Sequence, residues 1–287
     1  MKAIMSPPAL TLLKPCGHRK WRKPDRKKGA WKGMQFMTFN LRFENDIDGE
    51  NSWNQRRNIV VEVIKKYSPS VLGTQEGTPR QIEYMREHLP EYDAHIPDRP
   101  LDETCQYPTL FCRSNEVQVK EGGEFWLSCT PDIHRSKDWD SAFPRMMSYA
   151  LCKYVPTGKL FWVVVTHLDH MGSRARLQQA RIILEWVKER TAPVVLMGDF
   201  NDHPGSPPHR LLTSTDSLLD SWQTLGREES ENSMTHHGFL GTPRKHRLDW
   251  ILLSPRFRVL DARIIRDHNN GCYPSDHFPY MVECEYI

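Results

Sequence analysis

No stretch of this chain is apolar over the ~18 residues that a membrane-crossing helix needs. The one short apolar run near the start, "ALTLL", is too brief for the core of a signal peptide. The seven cysteines (16, 105, 112, 129, 152, 272 and 284) form no CxxC pair, and Cys16 with His18 is too small a set for zinc. An odd cysteine count without a secretion signal fits free thiols and an intracellular, cytoplasmic setting. Internal repeats are absent, and nothing in the sequence calls for an obligate protein partner.

Aromatic residues are plentiful: 9 Trp, 9 Tyr and 11 Phe in 287 residues give enough apolar bulk for a large core. The net charge of +3 is unevenly spread. Residues 1–33 carry ten Lys or Arg against Asp25, a net +9, which leaves −6 for residues 34–287. The tail reads as disordered. It is either an electrostatic arm for a polyanion or an extension upstream of a working start at Met34. The expected division is therefore a basic tail, 1–33, and a catalytic domain, 34–287.

Apolar periodicity predicts strands at "MQFMTFN" (34–40), "SVLGTQE" (70–76), "TLFCR" (109–113), "GEFWLS" (123–128), "MMSYALCKYV" (146–155), "KLFWVVVTH" (159–167) and "APVVLMGDF" (192–200). Three more close the chain: "LDWILLS" (248–254), "FRVLDARIIR" (257–266) and "PYMVECEY" (279–286). Helices are predicted at 51–68 with Ser52 as N-cap, at 78–89 with Thr78 as N-cap, at 173–190 and at 207–214. This alternation points to an α/β fold with sheets inside and helices outside.

Polar residues collect where apolar strands stop. Asn40 ends the first strand, Gln75 and Glu76 the second. Thr166, His167, Asp169 and His170 follow "FWVVV", and Asp199 and Asn201 follow "VVLMG". Asp249 starts a strand, and Asp276 and His277 precede the last one. A side chain at a strand end is held by the sheet yet reaches solvent, as a working group must. In "VVLMGDFNDHPGS" period-2 alternation predicts Asp199 and Asn201 on one side and Phe200 in the core, with Asp202 a turn residue.

These residue types suit metal-assisted attack on a phosphate ester. Mg²⁺ prefers oxygen ligands and needs only one or two carboxylates, for which Glu76 and Asn40 serve. Asp249 is placed to orient His277 and raise its pKa, and a charged His stabilises a phosphate. Each residue has an ordinary alternative: a loop acid, an Asx turn at "GDFND", a core histidine at His167, a strand cap at Asp249. Their joint occurrence in this order is what favours a site.

"MTFNLR", "GTQE", "THLDH", "GDFND", "RLDWIL" and "YPSDHFP" together resemble the endonuclease/exonuclease/phosphatase (DNase I-like) superfamily from about Met34 to the C-terminus. "NSW" (51–53), "GEFWLSCTP", "WDSAFPR" and "HHGF" (236–239) are similar to a small branch of it. The resemblance implies a four-layer α/β sandwich with two central β-sheets packed face to face. It implies a Mg²⁺-dependent phosphoesterase, with Mn²⁺ as a substitute. The metal residues would be Asn40, Glu76 and Asp276. Asp199 would activate the water, Asn201 and Arg145 would bind the phosphate, Asp249 would support His277, and His167 would lie near the leaving group.

For Arg145 a solvated surface arginine is the alternative. Where the branch usually has a Gly-Glu pair, the chain reads "DETCQYPTLFCR", which unsettles any substrate contact there. Trp250 stands where Tyr or Arg is common and is expected to reshape the pocket wall. Trp53, Trp126, Trp139 and Trp250 are candidates to stack on a base or sugar; core packing is the alternative for all four, and it is favoured for Trp126 and Trp250, which lie in strands. The substrate class stays open among nucleic acid, a phospholipid head group and a sugar or inositol phosphate. The competing function is a non-catalytic module binding nucleic acid or phospholipid through the same fold.

Overall fold

The central strands are buried on both faces, and that decides the architecture. The computed structural model describes residues 33–97, 102–214 and 217–287. Residues 1–32, which carry the basic tail with Cys16 and His18, lie outside the described residues. In chain order the elements are β1 (Met34–Asn40), α1 (Trp53–Tyr67), β2 (Val71–Gly77), α2 (Pro79–His88), β3 (Tyr92–His95), β4 (Tyr107–Arg113), β5 (Val117–Trp126), β6 (Met146–Tyr154), β7 (Leu160–His167) and α3 (Ser173–Lys188). They continue with β8 (Val194–Asp199), α4 (Pro207–Thr213), β9 (Leu219–Asp220), α5 (Ser221–Thr224), β10 (Asp249–Leu253), β11 (Phe257–Ile264) and β12 (Tyr280–Tyr286).

Two six-stranded sheets form, ordered β11-β12-β1-β2-β4-β3 and β5-β6-β7-β8-β10-β9. Alternate side chains of each strand go to different layers. Phe36, Val163, Val165, Val195, Met197 and Val282 fill the space between the sheets. Met37, Phe39 and Leu72 face α1 and α2, which contribute Ile59, Val63, Ile82 and Met85. Trp162, Val164 and Leu196 face α3, through Ala180, Ile183, Leu184 and Val187. The result is the expected sandwich of two sheets with helices outside. Among the described residues no helix is long and apolar enough to cross a membrane.

Helix starts follow their local chemistry. Thr78 and Gln81 form a reciprocal capping box at α2, with Pro79 in the first turn. Ser52 occupies the N-cap of α1 but makes no side-chain capping bond. The free-thiol expectation holds at Cys105, Cys112, Cys129, Cys152 and Cys284. It fails at Cys272, which is disulfide-bonded.

Candidate functional site

Strand register brings the polar ends together. β7 and β8 run parallel with His167 beside Asp199. β10 runs antiparallel to β8 with Asp249 on the other side of Asp199. One row thus reads His167, Asp199, Asp249. In the other sheet β1 and β2 run parallel with Asn40 beside Gln75. The rows meet at Asn40, whose Nδ2 donates to Asp199 Oδ2 at 3.0 Å and to Glu76 Oε1 at 3.1 Å. Gly198 permits the close pairing of β7 and β8 beside Asp199: its φ is +155°, and a Cβ there would collide with the Thr166 carbonyl oxygen.

Two site residues leave the strand conformation. Glu76 has φ 62° and Asn201 φ 50°. Asn201 therefore does not share a side with Asp199 by pleat alternation. It turns back instead, its backbone N–H donating to Asp199 Oδ1 at 2.9 Å. The Asx turn and the site are the same structure. The Asn201 side chain donates from Nδ2 to His167 Nε2 at 2.9 Å and to the Leu168 carbonyl at 3.0 Å. Phe200 is buried, as expected, and stacks on Trp250 with centroids 4.3 Å apart. Trp250 is wholly buried against Phe200 and His209, so it does not reshape the pocket wall.

Asp276 and His277 come from the segment before β12. His277 Nδ1 lies 2.8 Å from Asp249 Oδ2, the pairing expected from the sequence, and Nε2 lies 3.8 Å from Asp199 Oδ2. Burial opposes charge on His277, but Asp249 and then Asp199 overcome it and raise its pKa to about 10. Asp199 is pushed up to about 7 by burial and by the neighbouring Asp249 charge, against the pull of His277. Burial also raises Asp276, yet His277 and Arg42 hold it below the usual carboxylate range. Burial, reinforced by Arg145, drives His167 well below its ordinary pKa and keeps it neutral.

Glu76, His167, Asp199, Asn201, Asp276 and His277 line a cavity of about 540 Å³, and Asn40 and Asp249 bond to them from behind its wall. Arg145 is on its wall and only 9 % exposed, so the surface-arginine alternative fails. Among the described residues its buried Nε has no hydrogen-bond partner; it lies 3.7 Å from Asp169 Oδ2, and Nη2 lies 3.3 Å from His170 Nδ1. Asp169 works on the loops: it accepts backbone N–H bonds from Gly172 (2.7 Å), Met171, Ala142 and Phe143. Asp202 is held by Arg176 at 2.9 Å. Of the four tryptophans singled out as stacking candidates, only Trp126 lines the cavity.

The sequence reading missed Arg42, Phe43, Arg135, His236 and Lys245 on that wall, and it named His170 as a strand-end residue without giving it a role. His236 was within reach, since "HHGF" stood out; its buried Nδ1 has no partner among the described residues. Gln106, Thr104 and Cys105 also line the cavity, from the loop that departs from the branch pattern. Asp102 organises that loop, accepting from Thr104 N at 2.8 Å and Arg135 Nη1 at 3.1 Å.

Three sets of His, Cys, Asp and Glu have ligand atoms mutually within 4.8 Å among the described residues: Asp102–Cys105–His134, His236–Asp276–His277 and Asp199–Asp249–His277. Glu76 is in none of them and joins through Asn40. A charged His277 is a poor metal ligand. The oxygen donors Asn40, Glu76 and Asp276 suit a hard cation better, and the excess of acids beside them, with buried Asp249 Oδ1 lacking a partner among the described residues, fits one nearby.

An endonuclease/exonuclease/phosphatase of Bacteroides vulgatus superposes with a TM-score of 0.81, at 29 % identity over 89 % of this chain and 100 % of that one. The mannosyl-6-phosphatase of Bacteroides thetaiotaomicron VPI-5482 gives 0.78, at 29 % identity over 88 % and 99 %. An inositol phosphosphingolipids phospholipase C of Saccharomyces cerevisiae is 32 % identical over 112 residues; the match covers 30 % of this chain and 24 % of the yeast protein's length. The sequence profile of the Endonuclease/Exonuclease/phosphatase family matches residues 37–277. The chain belongs to the endonuclease/exonuclease/phosphatase family.

Proposed function

We propose that the protein is a divalent-metal-dependent hydrolase of small phosphate esters, working by in-line attack of water. Members of its family are phosphoesterase hydrolases. The observation that carries the reading is the buried row His167–Asp199–Asp249, with His277 bonded to Asp249 and Asn40 tying in Glu76 from the other sheet. Glu76, Asn40 and Asp276 would hold Mg²⁺, with Mn²⁺ as its substitute. When bound, the ion would polarise the phosphate and balance the acids.

The chain's own groups divide the remaining work. Asp199, with a pKa of about 7, is suited to take a proton from the attacking water at neutral pH. His277 has Nδ1 fixed on Asp249, so Nε2–H is available to a phosphate oxygen, where its charge stabilises the transition state. Arg145 and Asn201 would bind the scissile phosphate. Neutral His167, fixed by Asn201, would sit near the leaving group.

The cavity lies within the ~300–1,000 Å³ of small-molecule sites. Phe43, Trp126 and Phe143 on its wall offer flat apolar surface to a ring. Together with the net −6 of residues 34–287, this favours a sugar phosphate, inositol phosphate or lipid head group over a nucleic-acid duplex. The test is a panel of sugar phosphates, a phospholipid head group, RNA and single- and double-stranded DNA, each with Mg²⁺ and Mn²⁺. Turnover of a small ester that stops with EDTA and in Asp199→Ala is expected. No turnover of any ester by the wild type, with either metal, would overturn the reading.

A further inference from the structure

Two stretches singled out in the sequence, "NSW" and "HHGF", contribute aromatic residues that do not line the cavity. Trp53 and Phe239 converge instead on one guanidinium, that of Arg56 on α1, which stands 5.3 Å from the Trp53 ring centre and 5.7 Å from that of Phe239. Arg56 is 2 % exposed and forms no ion pair with a described residue. A buried charge without an acid is expensive unless its N–H groups are bonded. Here they go to backbone carbonyls: Nε to Asn51 at 2.9 Å, Nη1 to Pro274 at 2.9 Å and to Leu41, Nη2 to Arg42.

Three of those four carbonyls belong to two neighbouring chain segments that carry site residues, one after β1 and one before β12. Leu41 and Arg42 follow Asn40 directly, and Pro274 precedes Asp276 and His277. Further bonds pass the constraint on. Arg42 N–H donates to Asn40 Oδ1 at 2.9 Å, Phe43 N–H to Glu76 Oε2 at 3.1 Å, and Ser275 Oγ to the Asn40 carbonyl at 2.6 Å. Gln81 Nε2 adds a bond to the Arg42 carbonyl at 2.9 Å. Phe239, on the guanidinium's face, lies three residues after His236.

We propose that Arg56, covered by Trp53 and Phe239, is a positioning residue that locks the 40–43 loop to the 274–277 segment and so sets the spacing of Asn40 and Glu76 against Asp276 and His277. This rests on the phosphoesterase reading of the site. Only a guanidinium does the job. Its planar fork spans carbonyls on separate segments, whereas a lysine ammonium concentrates its donors at one point.

The experiment uses Arg56→Lys and Arg56→Ala in the full chain. It measures hydrolysis of p-nitrophenyl phosphate and bis(p-nitrophenyl) phosphate with Mn²⁺, Tm, and backbone hydrogen exchange. A misplacement on the order of 1 Å costs about 100-fold, so kcat is expected to fall about that much in both variants, with KM changed by less than about threefold. Ethylguanidinium is expected to restore kcat of Arg56→Ala, and ethylammonium is not. Exchange is expected to speed up together in 40–43 and 274–277. If Arg56→Ala does not fold, Arg56→Lys carries the test. Wild-type kcat in folded Arg56→Lys, faster exchange in only one segment, or guanidinium that restores Tm but not kcat would each overturn the proposal. Wild type inert towards both esters would remove the phosphoesterase reading alone; the exchange measurement would still decide the clamp.

Discussion

Asp199 and Asp220 lie in the same sheet with only β10 between their strands, and both are buried, yet their acidities move in opposite directions. Asp220 accepts from His209 Nε2 and from Arg247 Nη2, each at 2.8 Å. Burial would raise its pKa, but His209 and Arg247 outweigh it and bring the carboxyl down to about 2. Among the described residues Asp199 pairs with no arginine, only with His167 at 3.5 Å and His277 at 3.8 Å. Burial and the Asp249 charge raise it to about 7. Asp220 has an arginine at 2.8 Å, whereas Asp199 and Asp249 share the single charge of His277 and so outnumber it. That imbalance marks a place arranged for chemistry rather than stability.

The largest effect that sharpens this contrast is on rate. Asp199→Asn is expected to lower kcat by about 10³-fold, within the span for loss of a general base. Its Tm is expected to hold or rise, because a strained buried charge is gone. A fall in Tm with kcat intact would break the contrast.

Asp220→Asn is the mirror image. Breaking a buried ion pair costs about 3 kcal/mol or more. Chemical denaturation should show that loss, while the folded fraction keeps near-normal kcat.

Acid titration separates the two residues next. Asp220 falls from 3.8 to about 2 on folding. The stability it contributes is present above 3.8 and disappears as pH drops towards 2, about 2 kcal/mol in all. Asp199 runs the other way: it keeps its proton up to about 7 when folded, so in metal-free buffer it costs stability as pH climbs from 4 to 7. The Tm gap between wild type and Asp199→Asn should widen over that range, and a constant gap would contradict the shift.

The smallest effect is expected at Phe143, which is exposed on the cavity rim and stacked beside His170. Phe143→Ala should leave Tm alone and raise KM for a ring-bearing ester by about three- to tenfold, equivalent to roughly 1 kcal/mol of lost aromatic contact. An unchanged KM would remove this residue from the substrate wall.

Strand ends were legible in the sequence because they follow from local alternation. β1, β7, β8 and β10 begin and stop close to where apolar runs do. The Asp249–His277 pairing was legible too, since an adjacent Asp276 cannot reach round its own strand. The left-handed turn at Asn201 was half legible: "GDFND" suggests an Asx turn, but alternation predicts an extended strand, and the choice is made by the bond to Asp199. Trp250 was half legible: its place in a strand favours the core, where it lies, but its stacking partner Phe200 is fifty positions away and could not be named. Arg56 was invisible as a clamp because its bonds reach carbonyls up to 218 residues distant. β3, β9 and the loop around Asp102 carry little periodicity and are defined by what they pack against.

The central claim is that the unbalanced acids serve a cation-dependent ester hydrolysis. The direct measurement is the initial rate on the best small ester as Mg²⁺ is titrated, for wild type and Glu76→Gln. The account predicts saturable activation of the wild type, abolished by EDTA, and activation of Glu76→Gln that is lost or needs far more metal. Turnover that persists in EDTA, or identical activation curves for the two proteins, would contradict it.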